Sequence, residues 1–350
     1  MSTADTYDVI VVGAGLTGAL IASTLAEEGL RVVVLEAATS LAGTLRRQPG
    51  LALLGTPEPF IQLMERLGEE LAHTLWELTS ENLVRLEILL DRAGIPAQKT
   101  GSLRLAGDGA QSEIFRESAA RLGTYGYAAE LEDDSRYGDQ VAISTADDLL
   151  FEPAALVSRL LDHDNIILEL DAEVHKVKER PGDGIAVFAH KRFLWAEKVV
   201  FANGIHATRL CPELSQVLHP GNIHTLVFEN TKTLARPLIL DTGRIFFLPD
   251  GDAVYLTGWS DDETDTFWRL TAVAHQLCPD AMVHDRYTTR IARSDDMLPV
   301  VDRLPTNPNI SVINGLGPFG LSLALVAADE LAELVLYERQ PELFSLKRLQ

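Results

Sequence analysis

The start of the chain has a hydrophobic pattern that changes from strand to helix and back to strand. Residues 7–12 form a β-branched apolar run, which predicts a buried strand. Residues 16–28 place apolar side chains on one face of a helix, Gly29 ends that helix, and residues 31–35 form a second β-branched run. A glycine-rich loop connects the first strand to the helix, so a complete β–loop–α–β unit is predicted.

Helical and strand patterns continue to alternate along the rest of the chain. Amphipathic spacing predicts a helical stretch over residues 58–93 that breaks near 80–82, and helices over 111–122, 153–162, 261–277 and 321–337. Strands are predicted over 166–170, 174–178, 185–189, 198–202, 283–291 and 309–314, and strands dominate from 222 to 259. Because no repeats or linker-like segments interrupt this interleaved order, two interlocked domains are predicted.

The loop after the first strand has the spacing GxGxxG, formed by Gly13, Gly15 and Gly18. In this context the first glycine permits a tight turn, the second lets the backbone approach a pyrophosphate, and the third lets the helix pack on the strand. The helix N-terminus offers free N–H groups to phosphate. Glu36 follows the second strand, where a carboxylate can bind both ribose hydroxyls. The unit predicts a dinucleotide, NAD or FAD, and disfavours NADP because the acidic residue would repel a 2′-phosphate.

Two further glycine-rich segments bear on which dinucleotide is bound. In residues 42–50 (AGTLRRQPG), Arg46 and Arg47 could contact a phosphate or a flavin, or could form a solvated basic loop. Residues 309–314 form a predicted strand that runs into residues 315–320 (GLGPFG) and then into a helix. This second strand–loop–helix could direct a helix N-terminus toward the polar end of an isoalloxazine ring and stabilise negative charge there.

Composition excludes several classes of protein. The 350 residues are 46% hydrophobic and 23% charged, which is typical of globular domains, and at about 150 residues per domain the length suggests two. The net charge of −21 makes nucleic acid and anionic lipid poor partners. No uncharged apolar run reaches the ~20 residues of a membrane helix, so no transmembrane segment is expected.

Cysteine and histidine patterns bear on compartment and metal binding. The two cysteines, Cys211 and Cys278, form no CxxC pair and cannot build a disulfide framework. The N-terminal residues have no secretory signal pattern, so a reducing, cytoplasmic setting is expected. The nine histidines form neither HxH nor HExxH, and no metal site is predicted.

Several segments, in order along nearly the whole chain, resemble one family. They are VIVVGAGLTG and VVVLEA at the opening, GTLRRQPG at 43–50, GSL at 101–103, FEPAALV at 151–157, KVVFANG at 198–204, DMLPVV at 296–301 and GLGPFGLSLA at 315–324. Together they resemble the D-amino-acid oxidase / glycine oxidase / sarcosine oxidase (DAO) superfamily of FAD-dependent oxidoreductases. The chain departs from the family pattern at Asp302, where glycine is expected, and at Leu325 and Ala328, where proline and glycine are expected.

The resemblance implies an α/β fold of two domains. An FAD-binding Rossmann-like domain of the glutathione-reductase type is interleaved with an α+β substrate domain built on an antiparallel sheet. We assign residues 1–93, 150–210 and 290–350 to the FAD-binding domain, and residues 94–149 and 211–289 to the substrate domain.

The resemblance also implies that FAD is the cofactor. Because neither cysteine lies near the flavin motifs, noncovalent binding is expected. The implied cofactor-binding residues are Gly13, Gly15, Leu16, Thr17, Gly18, Glu36, Ala37, Thr44, Arg46, Arg47, Val174, Ala202, Asn203, Gly204, Gly315, Gly317, Pro318, Phe319, Gly320 and Leu321.

The implied reaction is hydride transfer from a small amino acid or N-alkyl amino acid to flavin N5. It leaves an imine that water hydrolyses, and O2 or another acceptor takes the electrons. Arg290, or its near rival Arg293, would bind the substrate carboxylate as a bidentate clamp, and Phe319 would lie beside the flavin. His206 is either a further residue near the flavin or a structural histidine. A 2-hydroxy-acid or polyol-phosphate dehydrogenase and a catalytically idle dinucleotide-binding module remain open alternatives, and no oligomeric state is predicted.

Overall fold

The computed structural model describes residues 6–41, 49–133, 141–180, 184–190, 192–229, 234–260 and 263–349. The chain forms two compact units, each made of segments that are separate in sequence. The first unit comprises Met1–Arg47, Pro153–Pro220 and Arg290–Gln350, and the second comprises Gln48–Glu152 and Gly221–Thr289. Across the described ranges, none of the helices has both the length and the apolar composition needed to cross a bilayer.

The secondary structure is mixed along the whole chain. The strands are β1 (Thr6–Val12), β2 (Val32–Leu35), β3 (Gly50–Ala52), β4 (Ala97–Lys99), β5 (Ser102–Leu105), β6 (Ala129–Asp133), β7 (Val141–Thr145), β8 (Leu149–Phe151), β9 (Ile166–Glu169), β10 (Val174–Arg180), β11 (Gly184–Ala189), β12 (Arg192–Phe201), β13 (His219–Glu229), β14 (Leu238–Leu240), β15 (Ile245–Asp250), β16 (Ala253–Trp259), β17 (Val283–Arg293), β18 (Val300–Leu304) and β19 (Asn307–Asn314). The α-helices are α1 (Leu16–Glu27), α2 (Phe60–Leu67), α3 (Glu69–Ala93), α4 (Gly109–Thr124), α5 (Pro153–Leu160), α6 (Ala207–Leu210), α7 (Glu263–Leu277) and α8 (Ala324–Tyr337).

A parallel sheet in the order β9-β2-β1-β12-β19 forms the centre of the first unit. Every residue of β2 is buried, as expected for a continuous apolar strand in a parallel sheet. The hairpin β10–β11 pairs antiparallel with the first half of β12, and β18 pairs antiparallel with β19. Because the central strands are parallel, the carboxyl ends of β1, β12 and β19 lie at the same end of the sheet, and the loops that follow them start there.

The second unit is built on an eight-stranded sheet in the order β17-β13-β16-β15-β14-β5-β7-β6. From β13 to β6 the neighbouring pairs are antiparallel except β14–β5, which is parallel. Leu226 and Phe228 of β13 pack in one hydrophobic core with Leu270 of α7. Three short strands form a separate sheet in the order β3-β8-β4.

A buried polar network ties several loops of the second unit together. The Arg104 guanidinium is fully buried and donates hydrogen bonds to the Leu54 carbonyl (2.7 Å) and the Thr145 hydroxyl (3.0 Å). The buried Asp148 carboxylate accepts hydrogen bonds from the Leu54 N–H (2.6 Å) and from the hydroxyls of Ser102 and Thr145. Burial raises the pKa of Asp148, and the nearby charge of Arg104 opposes that rise. Removing either charge would leave the other one uncompensated in the interior.

The structure corrects the prediction that the long helical stretch breaks near residues 80–82. The break lies at Gly68, whose φ of +84° ends α2, and α3 then runs without interruption from Glu69 to Ala93. Asn82 is fully buried inside α3, so the polar residues around it do not end the helix. A glycine is the residue that ends a helix readily, because it adopts positive φ without a steric penalty.

Residues 48–93 lie in the second unit, whereas the resemblance assigned residues up to 93 to the FAD-binding domain. Strand β3 pairs with β8, and the Ile61 N–H of α2 donates a hydrogen bond to the Ser118 hydroxyl of α4 at 3.1 Å. These contacts join the segment to partners within the second unit, and sequence patterns carry no information about such long-range pairing.

Candidate functional site

The first glycine loop leaves β1 at the carboxyl end of the parallel sheet. Gly13 has φ +105°, and a Cβ added there would lie 2.7 Å from the Ala202 carbonyl oxygen. A Cβ on Gly18 would lie 2.0 Å from the Gly13 oxygen. A Cβ on Gly15 would meet nothing within 4 Å. Gly13 and Gly18 are therefore required by the fold itself, whereas the loop leaves open space above Gly15, as a bound pyrophosphate would need.

Helix α1 begins in this loop, and Gly15 is its N-cap residue. No described side chain accepts from the N–H groups of the first turn, and that turn contains no acidic residue. Leu16, Thr17 and Gly18 form the first turn. Unpaired N–H groups and the positive end of the helix dipole together favour an anion at this position.

The Glu36 carboxylate is held in a fixed position after β2. Its Oε2 accepts a hydrogen bond from the Ala14 N–H and its Oε1 accepts one from the Ala38 N–H, each at 2.9 Å. The Ala172 N–H donates to the Glu36 carbonyl at 2.9 Å, which places the segment leading to Val174 beside this carboxylate. Each carboxylate oxygen keeps a free lone pair, so Glu36 can still accept from the two hydroxyls of a ribose.

Asn203 and Gly204 follow β12, next to the first glycine loop. The Gly204 N–H donates a hydrogen bond to the Asn314 side-chain oxygen at 2.7 Å, and this contact joins the ends of β12 and β19. The Asn203 side-chain oxygen is buried and has no hydrogen-bond partner among the described residues. An unpaired buried acceptor costs about 1–3 kcal/mol, so this atom fits a ligand that brings a donor.

The second glycine loop leaves β19 at the same end of the sheet. Gly315 and Gly317 have φ of +73° and +67°, and the segment Gly317–Ser322 is a 3-10 turn. Pro318, Gly320 and Leu321 lie in this turn, so α8 begins at Ala324 and not at 321 as predicted. The 3-10 turn includes residues 317–320 of the glycine loop, so the N-terminus of α8 does not follow the loop directly.

Arg290 and Arg293 lie three positions apart on β17, so they point to opposite faces of the strand. Burial lowers the pKa of His206, the charges of Arg209 and Arg290 lower it further, and the charges of Glu173 and Glu36 oppose them. The charges of Arg290 and Glu36 therefore act on the same imidazole with opposite signs. Among the described residues, no carboxylate forms an ion pair with Arg290 or Arg293.

Some candidates fall outside what the structure describes. Thr44, Arg46 and Arg47 lie outside the described residues. Phe319 lies in the 3-10 turn, and its side chain is likewise outside the description. Within the described ranges, no group of three or more metal-ligating side chains is present.

The structure gives roles to two residues for which the sequence predicted none. Asn314 joins the ends of two strands, and Asp296 holds the turn before β18 with a hydrogen bond from the Leu298 N–H (3.1 Å). The sequence offers one signal for Asn314, which is its position as the last residue before the second glycine loop.

A parallel sheet with a GxGxxG loop, an anchored acidic residue after its second strand and a second glycine loop defines a dinucleotide-binding α/β protein. The chain belongs to the family of FAD dependent oxidoreductases (DAO), whose model matches residues 8–334. The match confirms the predicted superfamily and the prediction of an FAD-dependent oxidoreductase.

Solved structures confirm the predicted fold class. L-amino acid deaminase from Proteus vulgaris has a TM-score of 0.80 at 18% identity, covering 99% of this chain and 95% of that one. Glycine oxidase from Geobacillus kaustophilus has a TM-score of 0.79 at 20% identity, covering 99% and 98%. L-proline dehydrogenase from P. horikoshii has a TM-score of 0.79 at 15% identity, covering 97% and 95%.

A curated relative matches a shorter stretch. The probable oxidoreductase OrdL of Haemophilus influenzae is 35% identical over 100 residues. The match spans 28% of this chain and 23% of that protein.

Proposed function

We propose that the chain binds FAD noncovalently in the first unit and oxidises the C–N bond of a small amino acid or N-alkyl amino acid. The similar solved structures support this substrate class, because they include a glycine oxidase, an L-amino acid deaminase and an L-proline dehydrogenase. The electron acceptor would be O2 or another acceptor that the reduced enzyme meets.

The first unit offers the groups that an FAD molecule needs. The free N–H groups of α1 would bind the pyrophosphate over Gly15, and Glu36 would accept hydrogen bonds from the adenosine ribose. The unpaired oxygen of Asn203 would accept from a hydroxyl of the cofactor chain. The loop containing Gly315 and Gly317 would contact the flavin end. Bound FAD would supply a two-electron acceptor at N5 of its ring.

Noncovalent binding is supported by the state of Cys211. Burial, followed by the neighbouring Glu213, raises the pKa of the Cys211 thiol to about 11. Because the thiolate is the nucleophile, a thiol with this pKa is unreactive near neutral pH. Cys278 is fully buried in the core of the second unit, among apolar side chains.

The position of Arg290 is the observation that carries the substrate assignment. Its charge lowers the pKa of His206, and no described carboxylate pairs with it in a chain of net charge −21. A guanidinium that pairs with no described carboxylate can bind a substrate carboxylate through two parallel hydrogen bonds. Arg290 would thereby orient the substrate, so that its C–H bond approaches the cofactor, and water would hydrolyse the released imine.

The test is the visible spectrum of the purified protein under anaerobic conditions. Glycine, sarcosine, and D- and L-amino acids would be added one at a time, with lactate and glycerol 3-phosphate as the hydroxy-acid and polyol-phosphate arms. The proposal requires flavin absorption that bleaches with one class of amino acid and yields an imine-derived carbonyl product with ammonia or an alkylamine. Bleaching by lactate or glycerol 3-phosphate alone would refute C–N oxidation. A protein that binds no flavin would refute the cofactor assignment.

A further inference from the structure

The C-terminal segment, residues 341–349, is fixed to the first unit by buried polar contacts. The Asp302 carboxylate accepts hydrogen bonds from the Ser345 hydroxyl (2.7 Å) and the Leu346 N–H (2.9 Å). Asp302 is 7% exposed and replaces the glycine expected from the family pattern. The Glu330 carboxylate of α8 accepts from two further N–H groups of the segment, at 3.4 and 3.3 Å. The departure at Asp302 therefore serves to hold the C-terminal segment.

Arg348 extends from this segment to the turn formed by residues 294–298. Its Nε donates to one oxygen of the Asp296 carboxylate at 2.7 Å, and its Nη2 donates to the other at 3.2 Å. Nη2 also donates to the Leu298 carbonyl at 3.0 Å. The two side chains are only 18% and 21% exposed, so this bidentate pair is partly desolvated and is stronger than a surface ion pair.

The turn held by Arg348 lies directly against the second glycine loop. A Cβ added to Gly317 would lie 3.6 Å from the Met297 methyl carbon, and one added to Gly315 would lie 3.6 Å from the Ser294 nitrogen. Met297 has φ +62°, a conformation that a residue with a side chain adopts only when its surroundings enforce it. The bonds from Arg348 to the two sides of Met297 provide that constraint.

We propose that Arg348 is a positioning residue for the cofactor: through Asp296 it fixes the 294–298 turn, which holds Gly315 and Gly317 in the conformation that binds the flavin end. This inference rests on the proposed binding of FAD at that loop. Arg348 does not contact the cofactor itself. Loss of the Arg348 side chain would loosen the loop. It would therefore weaken FAD binding by more than it lowers the stability of the apoprotein.

The test compares Arg348→Met with Lys347→Met, which changes an exposed neighbour in the same turn of chain. The apoproteins are titrated with FAD, and the unfolding temperature is measured with and without saturating FAD. We expect Arg348→Met to raise the Kd for FAD by about tenfold or more, equivalent to ~1.4 kcal/mol. The stabilisation that FAD gives should shrink accordingly, because it depends on the ratio of ligand concentration to Kd. Lys347→Met should leave both quantities unchanged, and Arg348→Lys should restore part of the affinity.

An unchanged Kd in Arg348→Met, with equal losses of unfolding temperature for the apo and FAD-bound forms, would mean that Arg348 only stabilises the fold and would overturn the inference. If Arg348→Met does not fold, Asp296→Asn is measured in its place, because it removes the charge but keeps the shape of the side chain. An unchanged Kd for FAD in Asp296→Asn, with equal losses of unfolding temperature for the apo and FAD-bound forms, would likewise overturn the inference. A wild-type protein that binds no FAD would refute the proposed function, and this outcome is visible before any variant is compared.

Discussion

Replacing Gly15 by alanine should separate cofactor binding from fold stability. Gly15 has an ordinary backbone conformation, with φ −73° and ψ −178°, and a Cβ built on it meets nothing within 4 Å. The methyl group therefore fits the unliganded protein without strain. It would instead occupy the space over the N-terminus of α1 into which the proposed pyrophosphate fits.

The expected loss of FAD affinity is larger than the expected change in the stability of the apoprotein. Holding a phosphate oxygen away from one N–H group of α1 removes a charge-assisted hydrogen bond of about 1.5–3 kcal/mol, which corresponds to about 10- to 150-fold in the Kd for FAD. In the apoprotein, alanine is a poorer N-cap than glycine by about 1 kcal/mol. Alanine also reduces the conformational entropy of the unfolded chain, which stabilises the folded protein by about 0.4–1 kcal/mol and opposes this loss. The free energy of unfolding should thus change by less than about 1 kcal/mol.

The assay is a titration of the apoprotein with FAD, followed by the quenching of flavin fluorescence, with thermal unfolding of the apoprotein as the second measurement. Gly123→Ala is the matched control, because Gly123 of α4 also has open space at its Cβ position and needs no positive φ. Gly18→Ala is the opposite control, since its Cβ would lie 2.0 Å from a backbone oxygen and should destabilise the apoprotein itself. A Gly15→Ala protein with the wild-type Kd would refute the assignment of this loop.

Three further predictions concern the charged side chains of Arg290, Arg104 and Asp296. Arg290→Gln should raise the pKa of His206 in an NMR titration, because it removes a positive charge that opposes imidazolium formation. It should also raise the apparent KM for a carboxylate substrate at least about tenfold. Arg293→Gln should change neither quantity, and the reverse result would move the carboxylate clamp to Arg293. Arg104→Met should lower the free energy of unfolding by about 3–5 kcal/mol, since it leaves a buried carboxylate without its countercharge, and a change below about 1 kcal/mol in urea unfolding would contradict that account. Burial alone would raise the pKa of Asp296, but its hydrogen bonds and the charge of Arg348 outweigh burial and lower the pKa. The stability that this ion pair contributes is therefore present above the pKa of an unfolded aspartate. It is lost as the pH falls through the pKa of Asp296 in the folded protein. Asp296→Asn should therefore flatten the fall of unfolding temperature between neutral pH and the acid range, and identical pH profiles would exclude this role.

The glycine loop and its helix were predictable because they are contiguous in sequence. The GxGxxG spacing, the β-branched strands and Glu36 lie within one short unit, and each of them has a direct physical reason. The long stretch after residue 58 was predicted as helical, but its break was placed near 80–82 and not at Gly68, because a buried asparagine inside a helix gives the same pattern as a helix end. The strands β3, β4 and β8, of three residues each, were not predicted, because so short a segment has no periodicity to read.

By itself, the sequence determined the class of this protein: an α/β chain with a dinucleotide loop at its start, a second glycine loop near its end, and motifs in the order of the DAO family. Only the tertiary structure decided which side chains meet. It brought the charge of Arg290 to bear on His206, joined Asn314 to Gly204, and placed Arg348 on the turn that supports the second glycine loop. The physical reason is that local patterns encode the conformation of a segment, whereas these contacts join residues far apart in sequence and exist only after the parallel sheet has aligned its carboxyl ends.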